Sequence, residues 1–123
     1  MIIRNEIKLE VRYIDDIKGF GVFSLEFIPK NTIIETCYCM KLFKDVMHPS
    51  FDYLFNKDDN NAYLPFGYGS IYNHSYDPNC VWKIISEELG IIQFYSIKDI
   101  EIGDEIVHSY GELYWRVRKK KLI

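Results

Sequence analysis

Turn-forming residues break this chain so often that most of it can only be short strands. Asp15-Asp16-Ile17-Lys18-Gly19, Pro29-Lys30-Asn31 and Ser86-Glu87-Glu88 each interrupt it. Gly, Pro, Asn and Asp do this because they fix or tolerate turn dihedrals. Leu9, Val11 and Tyr13 alternate with Glu10 and Arg12, the period of two that marks a half-buried strand. Gly21 to Leu25 and Thr32 to Met40 read as further strands, Val81 to Ile85 and Gly90 to Tyr95 as the arms of a hairpin, and Glu105 to His108 as a last strand. The stretch 44–61 is polar, with an apolar island Phe51–Phe55 that reads as a short helix, and Glu112 to Lys121 reads as a terminal helix. Many strands and little helix predict a mainly-β fold.

A chain of 123 residues is the size of one domain, and 48% hydrophobic residues with 27% charged give it enough apolar surface to offset ordering entropy. Disordered, collagen-like and low-complexity classes are excluded. Twenty aromatic side chains, 16% of the chain, suit either an aromatic core or an aromatic-lined pocket. No apolar run approaches the roughly 18 residues of a membrane span. Arg4 and Glu6 bring charge too early for a signal sequence, and the three cysteines are an odd number. Both features predict a reducing, intracellular setting. Cys37 and Cys39 fall on one strand, without the loop spacing that zinc sites favour, so no metal is expected from them with His74 and Cys80.

Charge is unevenly placed. Arg116, Arg118, Lys119, Lys120 and Lys121 crowd the last eight positions, so residues 1–115 carry −8 while the whole chain carries −3. An acidic body suits a basic partner, and the basic tail suits nucleic acid.

Three short motifs stand out in order. Gly19-Phe20-Gly21 lies between two predicted strands, Asn73-His74-Ser75-Tyr76-Asp77-Pro78-Asn79 fills a polar loop, and Gly103-Asp104-Glu105-Ile106-Val107-His108-Ser109-Tyr110-Gly111 ends the last strand. Each alone fits a turn, a structured loop or a packing tyrosine. Together they resemble the SET domain, the family of protein lysine methyltransferases, over about residues 8–115. Gly111-Glu112-Leu113-Tyr114-Trp115 is similar to the ending of a minimal viral branch of the family, found in chlorella viruses, whose target is lysine twenty-seven of histone H3.

The resemblance implies a set of small sheets, the β-clip arrangement, with a C-terminal pseudoknot. It implies S-adenosylmethionine as cofactor, with Lys18, Gly19, Phe20 and Gly21 holding its methionine part. Asn73 and His74 would bind the amino group and adenine, and Trp115 would lie against the adenine. Tyr110 is implied as the catalytic tyrosine, also touching the cofactor. Tyr53 and Tyr114 would line the substrate-lysine channel, with His108 at a position that sets how many methyl groups fit and where relatives more often carry Phe, Tyr or an aliphatic residue. No metal is implied. The expected substrate is a histone H3 tail, lysine twenty-seven favoured, or another basic peptide. Nucleosomal DNA would be met by the tail 116–123, the location would be the host nucleus for a viral protein, and the assembly a homodimer. A methyltransferase of non-histone proteins, or an inactive SET module that only binds peptide, would carry much the same motifs.

Overall fold

The computed structural model describes residues 2–43, 55–56 and 61–109. Within them the strands are β1 (Leu9–Asp15), β2 (Gly19–Ser24), β3 (Ile33–Phe43), β4 (Phe55–Asn56), β5 (Asn61–Pro65), β6 (Asn73–His74), β7 (Cys80–Ser86), β8 (Ile91–Ser96) and β9 (Glu105–His108). They form a four-stranded sheet in the order β1-β2-β9-β6 and a five-stranded sheet in the order β4-β5-β3-β8-β7. The mainly-β expectation holds.

The hairpin is the plainest case of sequence becoming structure. β7 and β8 pair antiparallel from Cys80↔Ser96 to Ser86↔Ile91, and the turn closes on a hydrogen bond from Gly90 N–H to Ser86 O. The Pro29-Lys30-Asn31 turn also forms where expected. Asn31 takes a φ of +66°, a left-handed conformation that Asn tolerates better than most residues.

Two expectations are corrected. β1 forms, but Val11 and Tyr13 are 39% and 54% exposed rather than turned inward. β1 is the edge of its sheet, and its tyrosine packs edge-on against Phe20 at the surface, ring centres 5.5 Å apart. Phe55, the end of the island read as helix, instead belongs to β4 and pairs with Tyr63 of β5. A neighbouring strand edge gives its backbone partners that an isolated helical turn could not. The rest of that island, the expected helix 112–121 and the pseudoknotted stretch beyond Ser109 lie outside the described residues.

The core lies between the sheets and is built from Val22, Ile34, Tyr72, Ile92, Phe94 and Ile106 among others. Cys37, Cys39 and Cys80 are buried there as free thiols, and burial pushes Cys39 and Cys80 up to about 12. Outside the strands the sheets are tied by a reciprocal pair of main-chain bonds between Ile28 and Ile100, 2.8 and 2.9 Å. Asn79 makes a further tie: its Nδ2 donates to Glu105 O at 2.8 Å and its Oδ1 accepts from Val107 N–H at 2.9 Å.

Candidate active site

β9 is the element that assembles the site. It lies between β2, antiparallel through Val22↔Ile106 and Phe23↔Glu105, and β6, parallel through Asn73↔Val107 and His74↔His108. The first three residues of β2, Gly19-Phe20-Gly21, run past the end of the pairing with β9. They therefore come level with Asn73, which sits on the other side of β9. One carboxamide joins the two motifs: Asn73 Nδ2 donates to Phe20 O at 3.1 Å and to Glu105 Oε2 at 2.7 Å, across 53 residues of sequence in the first case.

Anything larger than Gly21 would displace its neighbours' side chains. A Cβ at this position would lie 2.5 Å from Glu105 Oε2, 2.7 Å from Ile14 Cδ1 and 3.0 Å from Asn73 Nδ2. Lys18 closes the preceding turn, its N–H and that of Ile17 both donating to Asp15 Oδ1 at 2.7 and 2.9 Å. Its side chain is exposed, and so is the ring of Phe20.

The two histidines differ in setting. His74 is half-buried with its ring edge-on to Tyr76 at 4.8 Å, and desolvation lowers its pKa. His108 is 4% exposed. It stacks on Phe55 at 5.3 Å and meets the rings of Phe94 and Tyr72 at 6.1 and 6.5 Å. Burial first, and the proximity of His74 after it, push His108 down to about 4, against opposing main-chain bonds at Ser109 and Tyr72. At neutral pH it is an uncharged ring in an aromatic cluster.

That cluster makes a stability prediction. The unfolded chain protonates His108 near 6.5 and the folded one only near 4. The unfolded state therefore binds more protons between those values, and stability falls as pH drops through the window. The slope is at most about 1.4 kcal/mol per pH unit, about 3 kcal/mol over the whole window. Glu35 works the other way, because burial raises its pKa above 4.5 and folding gains as it takes a proton. A His108→Phe variant retains Glu35, so as pH drops from 6.5 to 4.5 its urea midpoint is expected to fall less than that of the parent, or to rise. Identical slopes would remove His108 as the source.

The structure thus brings Gly19, Phe20, Gly21, Asn73, His74 and His108 to one end of the four-stranded sheet, with Lys18 on the adjoining turn. Tyr53, Tyr110, Tyr114 and Trp115 lie outside the described residues. Three contributors were invisible in the motifs. Glu105 is the acceptor that orients Asn73, and Glu35 forms a buried hydrogen-bonded pair with Tyr72, the residue before Asn73 in the chain. Only the first lies inside a motif, and nothing in its spacing singles it out.

The residues present suit the amino-acid end of S-adenosylmethionine. Both N–H bonds of the Asn73 carboxamide are committed to Phe20 and Glu105, which leaves its Oδ1 to accept from an ammonium. The exposed Lys18 offers a positive charge for a carboxylate.

Comparison with known proteins agrees with this geometry. The SET domain profile matches residues 19–111. A histone-lysine N-methyltransferase of Schizosaccharomyces pombe, specific for lysine 37 of H3, is 32% identical over 104 residues, covering 80% of this chain and 70% of that protein. The histone-lysine N-methyltransferase set1 of Dictyostelium discoideum is 31% identical over 87% of this chain, which spans only 8% of that much longer protein. A solved Plasmodium falciparum structure of a candidate histone methyltransferase superposes with a TM-score of 0.75 and 35% identity, covering 89% of this chain and 98% of that one. With a profile match over most of its length and a fold shared with a solved relative, the chain belongs to the SET-domain family and is a protein-lysine N-methyltransferase.

Proposed function

We propose that this chain, acting as a single SET domain with its core at about 8–115, uses S-adenosylmethionine to methylate a lysine of histone H3, and that it does so in the nucleus. The observation that carries the cofactor half is the Asn73 carboxamide, whose nitrogen is held by Phe20 O and Glu105 and whose oxygen is left to accept from an ammonium. The histone half is supported by the named targets of the relatives and by the −8 charge of residues 1–115, which attracts a basic tail. The preference for lysine twenty-seven and the viral setting rest on the motif likeness at Gly111–Trp115.

The bound cofactor supplies an electrophilic methyl group on a sulfonium; the chain supplies alignment. In-line displacement needs the amine and the methyl held at attack distance, and such positioning contributes several kcal/mol in favourable cases. Lys18 to Gly21 and Asn73 hold the amino-acid end. A substrate ammonium, pKa about 10.4 in water, must lose its proton before it can attack. Neutral, apolar surroundings beside a cation favour that loss. Phe55, Phe94, Tyr72 and uncharged His108 form such surroundings beside the cofactor residues. Tyr53 and Tyr114 extend them in this reading, and Tyr110 orients the amine through its hydroxyl. His108, larger than an aliphatic residue and uncharged, limits how many methyl groups fit.

The test is incubation with radiolabelled S-adenosylmethionine and separated core histones, followed by mass spectrometry of H3 peptides. Label on H3 is expected, confined to one lysine. Label on no histone would defeat the substrate assignment. Tyr110→Phe is expected to lower turnover about tenfold or more while leaving cofactor affinity within a factor of two, since only the hydroxyl is lost. Unchanged turnover would remove Tyr110 from the chemistry. The homodimer and the contact of residues 116–123 with DNA belong to the same reading. β1 and β7 end the two sheets as edges that a second copy can cover, and light scattering at micromolar concentration checks this.

A further inference from the structure

β3 carries an irregularity at its start: the register against β8 shifts between Ile33 and Glu35. The shift turns Ile34 inward while leaving Glu35 in phase with buried Cys37 and Cys39, so an acid enters the core at 2% exposure. Its two oxygens are both engaged. Tyr72 O–H donates to Oε1 at 2.7 Å and Tyr68 N–H donates to Oε2 at 2.8 Å. The turn Gly67–Ser70 wraps the carboxylate so closely that a Cβ on Gly67, which has a φ of +89°, would lie 2.5 Å from Oε2. Tyr72 is held a second time by its ring, 4.7 Å from that of Phe94. The next residue is Asn73.

A buried carboxylate is an expensive way to fill a core, since desolvation opposes it and an apolar side chain of similar volume often packs as well or better. Burial indeed raises the pKa of Glu35. What the carboxylate does here that an apolar side chain could not is fix two points of the segment 67–72, Tyr68 N–H and Tyr72 O–H, from β3. We infer that Glu35 and Tyr72 are positioning residues for the cofactor: the Glu35–Tyr72 bond between β3 and the segment leading into β6 sets where the Asn73 carboxamide stands relative to Phe20 and Glu105. The inference rests on the functional reading given above.

The chemistry separates positioning from mere packing. In Glu35→Gln the Tyr68 N–H can only donate, so the new amide must keep its oxygen there and turn its NH2 to Tyr72, whose hydroxyl hydrogen then loses its acceptor. In Tyr72→Phe the bond is absent. In Glu35→Leu/Tyr72→Phe the buried side-chain pair is gone and only the part-buried Tyr68 N–H loses its acceptor, so the thermal midpoint is expected to lie above that of either single variant. Cofactor affinity is not expected to recover. By calorimetry all three proteins should bind S-adenosylmethionine about tenfold more weakly, a loss of about 1.4 kcal/mol. In turnover the loss should appear in KM for the cofactor rather than in kcat. The Asn73 side-chain amide resonances of the cofactor-free protein should shift as well.

An apolar pair that restores affinity to within twofold of the parent would overturn the inference, leaving the pair as packing. If the double variant does not fold, Tyr72→Phe decides alone by the same twofold criterion. A parent protein that binds no S-adenosylmethionine overturns the functional reading and the inference with it, whereas a parent that binds alongside variants that bind equally overturns the inference alone.

Discussion

Asn79→Ala is expected to lower folding stability by about 2–6 kcal/mol, from two part-buried main-chain groups each left unpaired at about 1–3 kcal/mol. Asn79 is 9% exposed. Its side chain acts as an extra rung of sheet against β9, donating to Glu105 O and accepting from Val107 N–H. Its main chain continues the same ladder, its N–H donating to Val107 O at 3.1 Å and its carbonyl accepting from Ile97 N–H at 3.0 Å. Alanine can keep the main-chain bonds but strands Glu105 O and Val107 N–H. A domain of this size has only about 5–15 kcal/mol in total, so the variant should show a much lower urea midpoint with an unchanged slope. Asn79→Asp should be about as damaging, because it sets a second acceptor against Glu105 O. A loss below about 1 kcal/mol for the alanine variant would mean that water replaces the side chain and the rung contributes little.

Gly21→Ala is expected to weaken S-adenosylmethionine binding about tenfold or more while leaving the domain folded. The added methyl meets Glu105 Oε2 and Ile14 Cδ1 first, at 2.5 and 2.7 Å. Both are the ends of side chains that can swing away at modest cost. When Glu105 swings, however, Asn73 loses the acceptor 2.7 Å away that holds its amide. Asn73 is itself only 3.0 Å from the new methyl. The damage reaches the cofactor through the displaced Asn73 carboxamide as well as at Gly21 itself. Calorimetry with the cofactor reads it directly. Equal affinity for variant and parent would show that Asn73 does not hold the cofactor or that its position does not depend on Glu105.

Part of this architecture is legible in the sequence because local rules and tertiary context agree. The β7–β8 hairpin follows from two β-rich runs around a turn, and the turn at Asn31 follows from Pro-Lys-Asn. Where context overrules local pattern, legibility ends. Tyr13 alternates like an inward residue, but β1 is an edge strand and the tyrosine finds Phe20 on the surface. β5 begins at Asn61, in a polar stretch without strand character of its own, and exists because β3 and β4 flank it. β6 is two residues long, too short for any periodicity to register. For the site, the motifs give Gly21, Asn73 and His74, and the fold brings them together. The orienting acid Glu105 and the buried Glu35 cannot be read from spacing, since an acid on a strand ordinarily faces water and only the pairing at Ile33–Glu35 shows that this one does not.

The position of β9 has a consequence for how the protein comes into being. β6 and β9 run parallel, and parallel neighbours must be joined by a long crossover, here the chain between His74 and Glu105. The strand that completes the site is therefore the last of the described strands to leave the ribosome, and it must enter between two that have been waiting since residues 24 and 74. Until then β2 and β6 each present an open edge, a hazard for pairing with other nascent chains. Closing so distant a contact is slow compared with forming the local β7–β8 hairpin. Cofactor pockets that are finished early can help pull a chain toward its native state by binding ligand. This one is finished late, so a ligand that binds there would hold the completed domain but could not recruit its earlier intermediates.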